Sequence, residues 1–83
     1  MERETKKLLE TIVCSLVENQ DEVFVDEITD EMGVLLTLHV AKIDMGKVIG
    51  KEGATAKAIR TILRVSGAKE NARINIKIAE PNE

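Results

Sequence analysis

Two stretches of alternating hydrophobicity, at residues 34–43 and 72–79, enclose the segment that most limits the possible folds. Between them the chain has room for two helices, which are separated by a Gly-x-x-Gly sequence at residues 50–53. A connection of this length lets the two strands pair in parallel, on the usual right-handed path. The pattern therefore predicts two helices joined by a tight glycine bend, placed between parallel strands.

The N-terminal part of the chain has the patterns of one helix and one strand. From Thr5 to Asn19 apolar residues recur at helical spacing and form a single stripe. After a polar turn, a β-branched and aromatic stretch begins at Val23 and continues towards Ile28. Turn residues at 30–33 then join this strand to the next one as a hairpin. Alternation predicts that four residues of the second strand share one face: Val34, Leu36, Leu38 and Val40.

The second half begins with the two helices of the connection. Asp44 is placed to cap a short helix over residues 45–49, which Gly50 ends. The longer helix is expected to begin at Gly53 or Ala54 and to close at Gly67. Its predicted buried face comprises Ala56, Ile59, Ile62 and Leu63.

A linker at residues 68–71 leads to the final strand, in which isoleucines alternate with polar residues. The expected fold class is α+β, with the order helix-strand-strand-helix-helix-strand. We expect a three-stranded mixed sheet that three helices cover on one face. Residues 1–79 are predicted to form this single domain, and residues 80–83 a short polar tail.

Length, composition and charge narrow the function. A chain of 83 residues buries only a modest core, which disfavours a deep cleft between two lobes. The net charge is −3, but residues 1–31 hold ten acids and three bases, whereas the rest holds five acids and nine bases. Phosphate binding needs cations, so a nucleic-acid site is expected in the second half. Because Phe24 is the only aromatic residue, such a site must rest on aliphatic side chains.

Several residues that could carry chemistry are expected to have only structural or solvent-exposed roles. Cys14 is the only cysteine, which fits a reducing compartment, and we expect it to act as a small buried hydrophobe in a cytoplasmic protein. His39 has no second histidine or cysteine near it, so no metal site and no cofactor are predicted. The acids around the 30–33 turn are read as a solvated surface that repels nucleic acid. No nucleophile or acid–base constellation is present, and neither enzyme activity, a small-molecule substrate nor a membrane segment is expected.

The glycine bend is the candidate binding element. Glycines let bare backbone approach a ligand, and the first amides of the following helix lack intrahelical partners, so a phosphate is expected there. Lys51 adds a positive charge, and Lys57, Arg60 and Arg64 continue it along the helix. An aliphatic groove beside the bend is expected from Val48, Ile49, Ile59 and strand residues 38–41.

The residues Val48, Ile49, Gly50 and Gly53, followed by Lys57 and Ile59, resemble the signature of the KH domain. The helix-strand-strand segment before them is similar to the type II, bacterial arrangement, and the resemblance covers nearly the whole chain. It implies that the bend clamps the backbone of about four unpaired RNA nucleotides while the groove contacts the bases. It also implies an RNA chaperone that acts as a dimer or with a larger KH-domain partner. Together, the residue pattern and the resemblance predict these RNA-binding residues: Lys47, Ile49, Gly50, Lys51, Glu52, Gly53, Ala54, Lys57 and Arg60.

Three residues depart from the general KH pattern. Ala56 stands where a larger aliphatic residue is usual, Ala54 replaces a frequent arginine, and Glu52 puts a negative charge inside the bend. Weaker phosphate binding is the expected consequence. The alternative function is a protein-interaction or dimerisation module with little RNA contact of its own, using Leu35 or the outer side of the first helix, and single-stranded DNA is a third candidate ligand.

Overall fold

A computed structural model of the chain describes residues 4–79 as three helices and one three-stranded sheet. The elements are α1 (Glu4–Leu16), β1 (Phe24–Asp30), β2 (Gly33–His39), α2 (Met45–Ile49), α3 (Ala54–Lys69) and β3 (Ile74–Ile78). The predicted α+β class and the order helix-strand-strand-helix-helix-strand are confirmed. The tail predicted at residues 80–83 lies outside the described residues.

The sheet has the order β1-β2-β3, so β2 is central and the other two strands are its edges. β1 pairs with β2 antiparallel as a hairpin, and β3 pairs with β2 in parallel. The register places Val34 beside Ile74 and Leu38 beside Ile78. The helical connection between β2 and β3 therefore has the crossover role that the sequence predicted.

One face of the sheet forms the core together with the helices. β2 buries Val34, Leu36 and Leu38, as its alternation predicted. Against them pack Leu9 and Val13 of α1, Val48 of α2, and Ile59 and Leu63 of α3. Each fully buried aliphatic side chain stabilises the fold by about 1.5–3 kcal/mol. The opposite face of the sheet has no covering element among residues 4–79, and Phe24 and Ile28 are exposed on β1.

Two details of α3 differ from the prediction. Ile62 is 46% exposed, so it does not belong to the buried face; Ala56, Ile59 and Leu63 do. α3 also runs two residues past Gly67, to Lys69. A side chain at Gly67 would contact the Ile74 side chain and the Ala72 carbonyl oxygen. The glycine is therefore explained by the close approach of α3 to β3, and not by the end of a helix.

β2 and β3 are shorter than predicted, whereas β1 runs two residues past Ile28, to Asp30. β2 ends at His39 instead of residue 43, although Val40 and Ala41 beyond it are still buried. β3 begins at Ile74 instead of residue 72. Val40, Ala41 and Ala72 lie outside the strands but still pack close to the core, and alternation in the sequence does not distinguish such residues from residues of a strand.

Asp44 does not cap α2, contrary to the prediction. Its side chain is fully buried, and its carboxylate accepts hydrogen bonds from the Glu18 N–H (3.2 Å), the Asn19 N–H (3.0 Å) and the Asn19 side-chain amide (3.0 Å). Burial disfavours the charged form, but the bonds from Asn19 and Glu18, together with the charge of Lys47, outweigh it and hold the pKa of Asp44 below its ordinary value. Asp44 thus joins the start of α2 to the chain that leaves α1.

Replacing Asp44 with Asn should lower the Tm by roughly 10 °C at pH 7, because two backbone donors lose a charged acceptor. A lowered native pKa means that this stability is present above the ordinary value of 3.8 and is lost as the pH falls through the native value. The Tm gap between the wild type and Asp44→Asn should therefore narrow below about pH 3.8. Thermal unfolding followed by circular dichroism between pH 7 and pH 3 measures the gap, and a gap independent of pH would contradict this role.

Candidate nucleic-acid interface

The bend between α2 and α3 has an unusual backbone. α2 ends at Gly50, whose N–H donates to the Gly46 carbonyl at 2.8 Å. Three of the four residues in the bend have positive φ: Gly50 (φ 75°, ψ 178°), Glu52 (φ 56°, ψ 26°) and Gly53 (φ 77°, ψ 11°). Side chains rarely adopt such angles, so the chain reverses here because two of the three residues are glycines.

The two glycines have different surroundings. A Cβ at Gly50 would lie 2.7 Å from the Thr55 Cβ and 2.9 Å from the Thr55 backbone nitrogen. A Cβ at Gly53 would meet no atom within 4 Å. Gly50 is therefore needed for the first turn of α3 to fold back against the bend, whereas Gly53 leaves bare backbone open to a ligand.

Hydrogen bonds inside the turn occupy two of the amides near the start of α3. The Gly53 N–H donates to the Gly50 carbonyl at 3.2 Å, and the Ala54 N–H donates to the Lys51 carbonyl. The turn itself thus uses the amides of Gly53 and Ala54. Within residues 4–79 the amides of Lys51 and Glu52 have no backbone partner. Successive free amides in a turn with left-handed residues can form a concave site for anions, and the amides of Lys51 and Glu52 are arranged in this way.

A groove of about 390 Å³ begins at the bend and runs between the helices and the free edge of β3. Its walls come from α2, from Gly53, from α3 and from β3: Met45, Ile49, Gly53, Ala56, Lys57, Arg60, Ile76, Lys77 and Ile78. The expected contribution of Val48, Ile59 and Leu38 is wrong, because these side chains are at most 4% exposed and belong to the core. The sheet wall is β3, since β2 is the central strand and has no free edge.

Backbone groups of β3 also face this groove. The Arg73 carbonyl accepts from the Val34 N–H at 2.8 Å, and the Ala79 N–H donates to the Leu38 carbonyl at 2.9 Å. Alternate residues of a strand direct their N–H and C=O groups to opposite sides. The backbone groups of Ile76 and Ile78 consequently point to the free edge, where they can donate to and accept from a bound molecule.

The positive charges lie on the same side as the groove. Lys51, Lys57 and Arg60 are exposed and form no ion pair with any residue in the described part of the chain. Lys47 differs, because its ammonium lies 3.4 Å from Glu18 and 3.7 Å from the buried Asp44. The acids of β1 and the hairpin turn lie at the other edge of the sheet, so the two edges have opposite charge.

The predicted site residues are mostly brought together. Ile49, Gly53, Lys57 and Arg60 line the groove, and Gly50, Lys51, Glu52 and Ala54 form the bend at its end. Lys47 is the exception, since its ammonium is held against Glu18 and Asp44. Sequence reasoning missed the β3 side of the groove, Ile76, Lys77 and Ile78, although the alternating isoleucines of this strand were the available signal.

Cys14 was predicted to be buried, and the structure differs from this prediction. Cys14 is only half-buried, and His39 is half-exposed on the open face of the sheet, with its ring 5.5 Å from that of Phe24 and its Nε2 3.3 Å from Asp26. Residues 4–79 contain no group of three or more histidine, cysteine or acidic side chains that could hold a metal ion. In the same range, no helix has the length and apolar character needed to cross a membrane.

Two helices joined by a Gly-x-x-Gly bend, packed on a mixed sheet and bordering its free edge, define the class of KH-domain proteins. The sequence profile for the KH domain of KhpA and KhpB matches residues 6–78. The chain belongs to this family, which is non-enzymatic.

Relatives with high identity extend over nearly the same residues. "RNA-binding protein KhpA" of Clostridium acetobutylicum is 55% identical over 73 residues, which cover 88% of this chain and 97% of the relative. The protein of the same name from Clostridium perfringens is 45% identical with the same coverage. The one from Borreliella burgdorferi is 43% identical over 74 residues, 89% of this chain and 90% of the relative.

Proposed function

We propose that the chain binds single-stranded RNA, with the bend at residues 50–53 clamping the backbone and the groove receiving the bases. The observation that carries this proposal is the continuity of the two parts. Free amides at Lys51 and Glu52 lie at one end of a groove of about 390 Å³, whose walls include the cations Lys57 and Arg60. The relatives that are named RNA-binding proteins support RNA as the ligand.

The clamp acts on phosphate. The amides of Lys51 and Glu52 donate to one phosphate, and the open backbone at Gly53 lets the strand come close without a side chain in its path. Lys51, Lys57 and Arg60 neutralise this phosphate and its neighbours. Glu52 opposes the same phosphate with its negative charge, so this site binds RNA more weakly than a bend without an acid would.

The groove favours unpaired bases of any sequence. Met45, Ile49 and Ile78 offer aliphatic surface to the faces of the bases, and the β3 backbone at Ile76 offers one donor and one acceptor to a base edge. In a duplex those base edges are already paired and cannot reach the groove. A weak, sequence-tolerant hold on unpaired strands suits an RNA chaperone that keeps strands open or helps them anneal, acting in the cytoplasm.

Nuclear magnetic resonance with a tetranucleotide tests the proposal. Titration of UUUU should shift the amide signals of Lys51, Glu52 and Gly53 and those of Ile76 and Ile78, while α1 stays unchanged. Because two or three phosphates are contacted, log K should fall with log salt with a slope of about −1.4 to −2.1. The deoxy tetranucleotide tests the preference for RNA. If the amide signals of residues 51–53 did not shift while signals elsewhere did, the proposal would be overturned.

Association with a second copy, or with a larger KH-domain protein of the KhpB type, accompanies RNA binding in this proposal. α3 supports it, since Ile62 and Val65 are 46% and 58% exposed on the side of the helix away from the groove. Together with Leu8 of α1 they line one apolar depression. Sedimentation, together with the tetranucleotide titration, separates association from RNA binding. A protein that only associates would sediment as a dimer, and the tetranucleotide would shift none of its amide signals.

A further inference from the structure

A second, smaller depression adjoins the groove on the side of α3 that faces β3. Its volume is about 110 Å³, and it is lined by Arg60, Arg64, Ile74, Asn75 and Ile76. Arg60 and Ile76 also line the groove. The two depressions therefore share a boundary, and a strand that leaves the groove past Arg60 enters the second one.

The basic residues of α3 follow the same direction. Lys57, Arg60 and Arg64 are spaced three and four residues apart, which places them on one face of the helix. At a rise of about 1.5 Å per residue this row is roughly 10 Å long. Arg64 is exposed and has no ion-pair partner within residues 4–79, so its charge is available to a ligand.

The size and polarity of the second depression indicate what it can bind. It has less than a third of the volume of the groove, so it suits a phosphate or a ribose better than a stacked base. The guanidinium of Arg64 can bind phosphate through two parallel hydrogen bonds. Asn75, which is exposed, lines the same depression from β3.

We infer that the RNA path extends beyond the groove to a backbone-binding subsite at Arg64 and Asn75, which takes the sugar-phosphate of one or two further unpaired nucleotides. This inference rests on the proposed function, because it lengthens the same path. It makes the binding site longer than the roughly four nucleotides that a bend and groove of this kind hold. The subsite contributes affinity and salt dependence, and it does not select bases.

Fluorescence anisotropy with labelled U4 and U8 tests the subsite in three proteins: the wild type, Arg64→Ala and Lys69→Ala. Lys69 is an exposed cation near the end of the same helix that lines neither depression, so its variant controls for the loss of one charge. Arg64→Ala should bind U4 as the wild type does and U8 about five- to tenfold more weakly, with a salt slope shallower by about 0.7. Lys69→Ala should match the wild type on both oligonucleotides.

The outcomes separate the two proposals. A shorter site has more binding registers on U8, which would raise and not lower the affinity of Arg64→Ala, so register statistics do not imitate the effect. Equal binding of U8 by Arg64→Ala and the wild type, or an equal loss on U4 and U8, would overturn the subsite while the proposed function remained. Failure of the wild type to bind either oligonucleotide would overturn both. Thermal unfolding of Arg64→Ala verifies that the variant is folded.

Discussion

Gly50→Ala should lower the Tm by roughly 15 °C, because the added methyl group meets both an unfavourable backbone conformation and a close neighbour. The backbone at φ 75° and ψ 178° lies in a region that is open essentially to glycine, which costs about 1–3 kcal/mol for other residues. The added Cβ would also lie 2.9 Å from the Thr55 nitrogen, and relief of that contact costs about 1–3 kcal/mol more. In a domain of this size each kcal/mol corresponds to about 4–8 °C.

Gly53→Ala is the matched control. Its φ of 77° and ψ of 11° belong to the left-handed region that other residues can enter at about 1–2 kcal/mol, and no atom lies within 4 Å of the added Cβ. Its Tm should fall by less than half as much, while its RNA affinity falls because the methyl group meets the incoming strand. Thermal unfolding of both variants measures the difference, and equal losses of Tm would show that the two glycines do not differ as described.

The double substitution Lys51→Asp, Glu52→Asp should weaken binding of a short unpaired RNA at least about 50-fold. It replaces the cation beside the clamped phosphate with an anion and places two carboxylates next to the free amides, so attraction becomes repulsion. The fold should persist, because both side chains are exposed and aspartate tolerates the positive φ of residue 52. A Tm within a few degrees of the wild type is the expected companion result.

Lys7→Asp provides the control for this loss. It makes the same change in net charge at an exposed position on α1, whereas the groove is lined by α2, α3, β3 and Gly53. Anisotropy titrations should show Lys7→Asp within about threefold of the wild type, a long-range effect that salt removes. If both variants lost affinity equally, the overall charge of the protein and not the bend would account for binding.

Local patterns in the sequence were sufficient for the elements and their order, because helical and alternating spacings each appear within a few residues. The predictions that were wrong concern residues whose partners are distant in the chain. Asp44 precedes a helix as a cap would, but its partners Glu18 and Asn19 lie about 25 residues earlier. Gly67 stands near a helix end, but its absent side chain is explained by contact with Ile74.

The same distinction applies to the candidate site. The bend and the cations of α3 are contiguous in sequence, so their proximity could be predicted. The predicted strand pairing already places β3 at an edge of the sheet, but alternation alone does not show that the helices leave Ile76 and Ile78 half-buried beside them. Which amides of the bend remain free also depends on φ and ψ at Glu52 and Gly53, because these angles determine the hydrogen bonds inside the turn.

The opposite charges of the two sheet edges affect how the protein meets a polyanion. Asp26, Glu27 and Asp30 lie on β1, whereas β3 and the adjoining side of α3 carry Lys77, Arg60 and Lys57. Such a separation gives the molecule an electric dipole, and the field of a phosphate chain exerts a torque on a dipole before contact. A molecule with a net charge of −3 can therefore rotate its cationic side towards the strand as it diffuses closer.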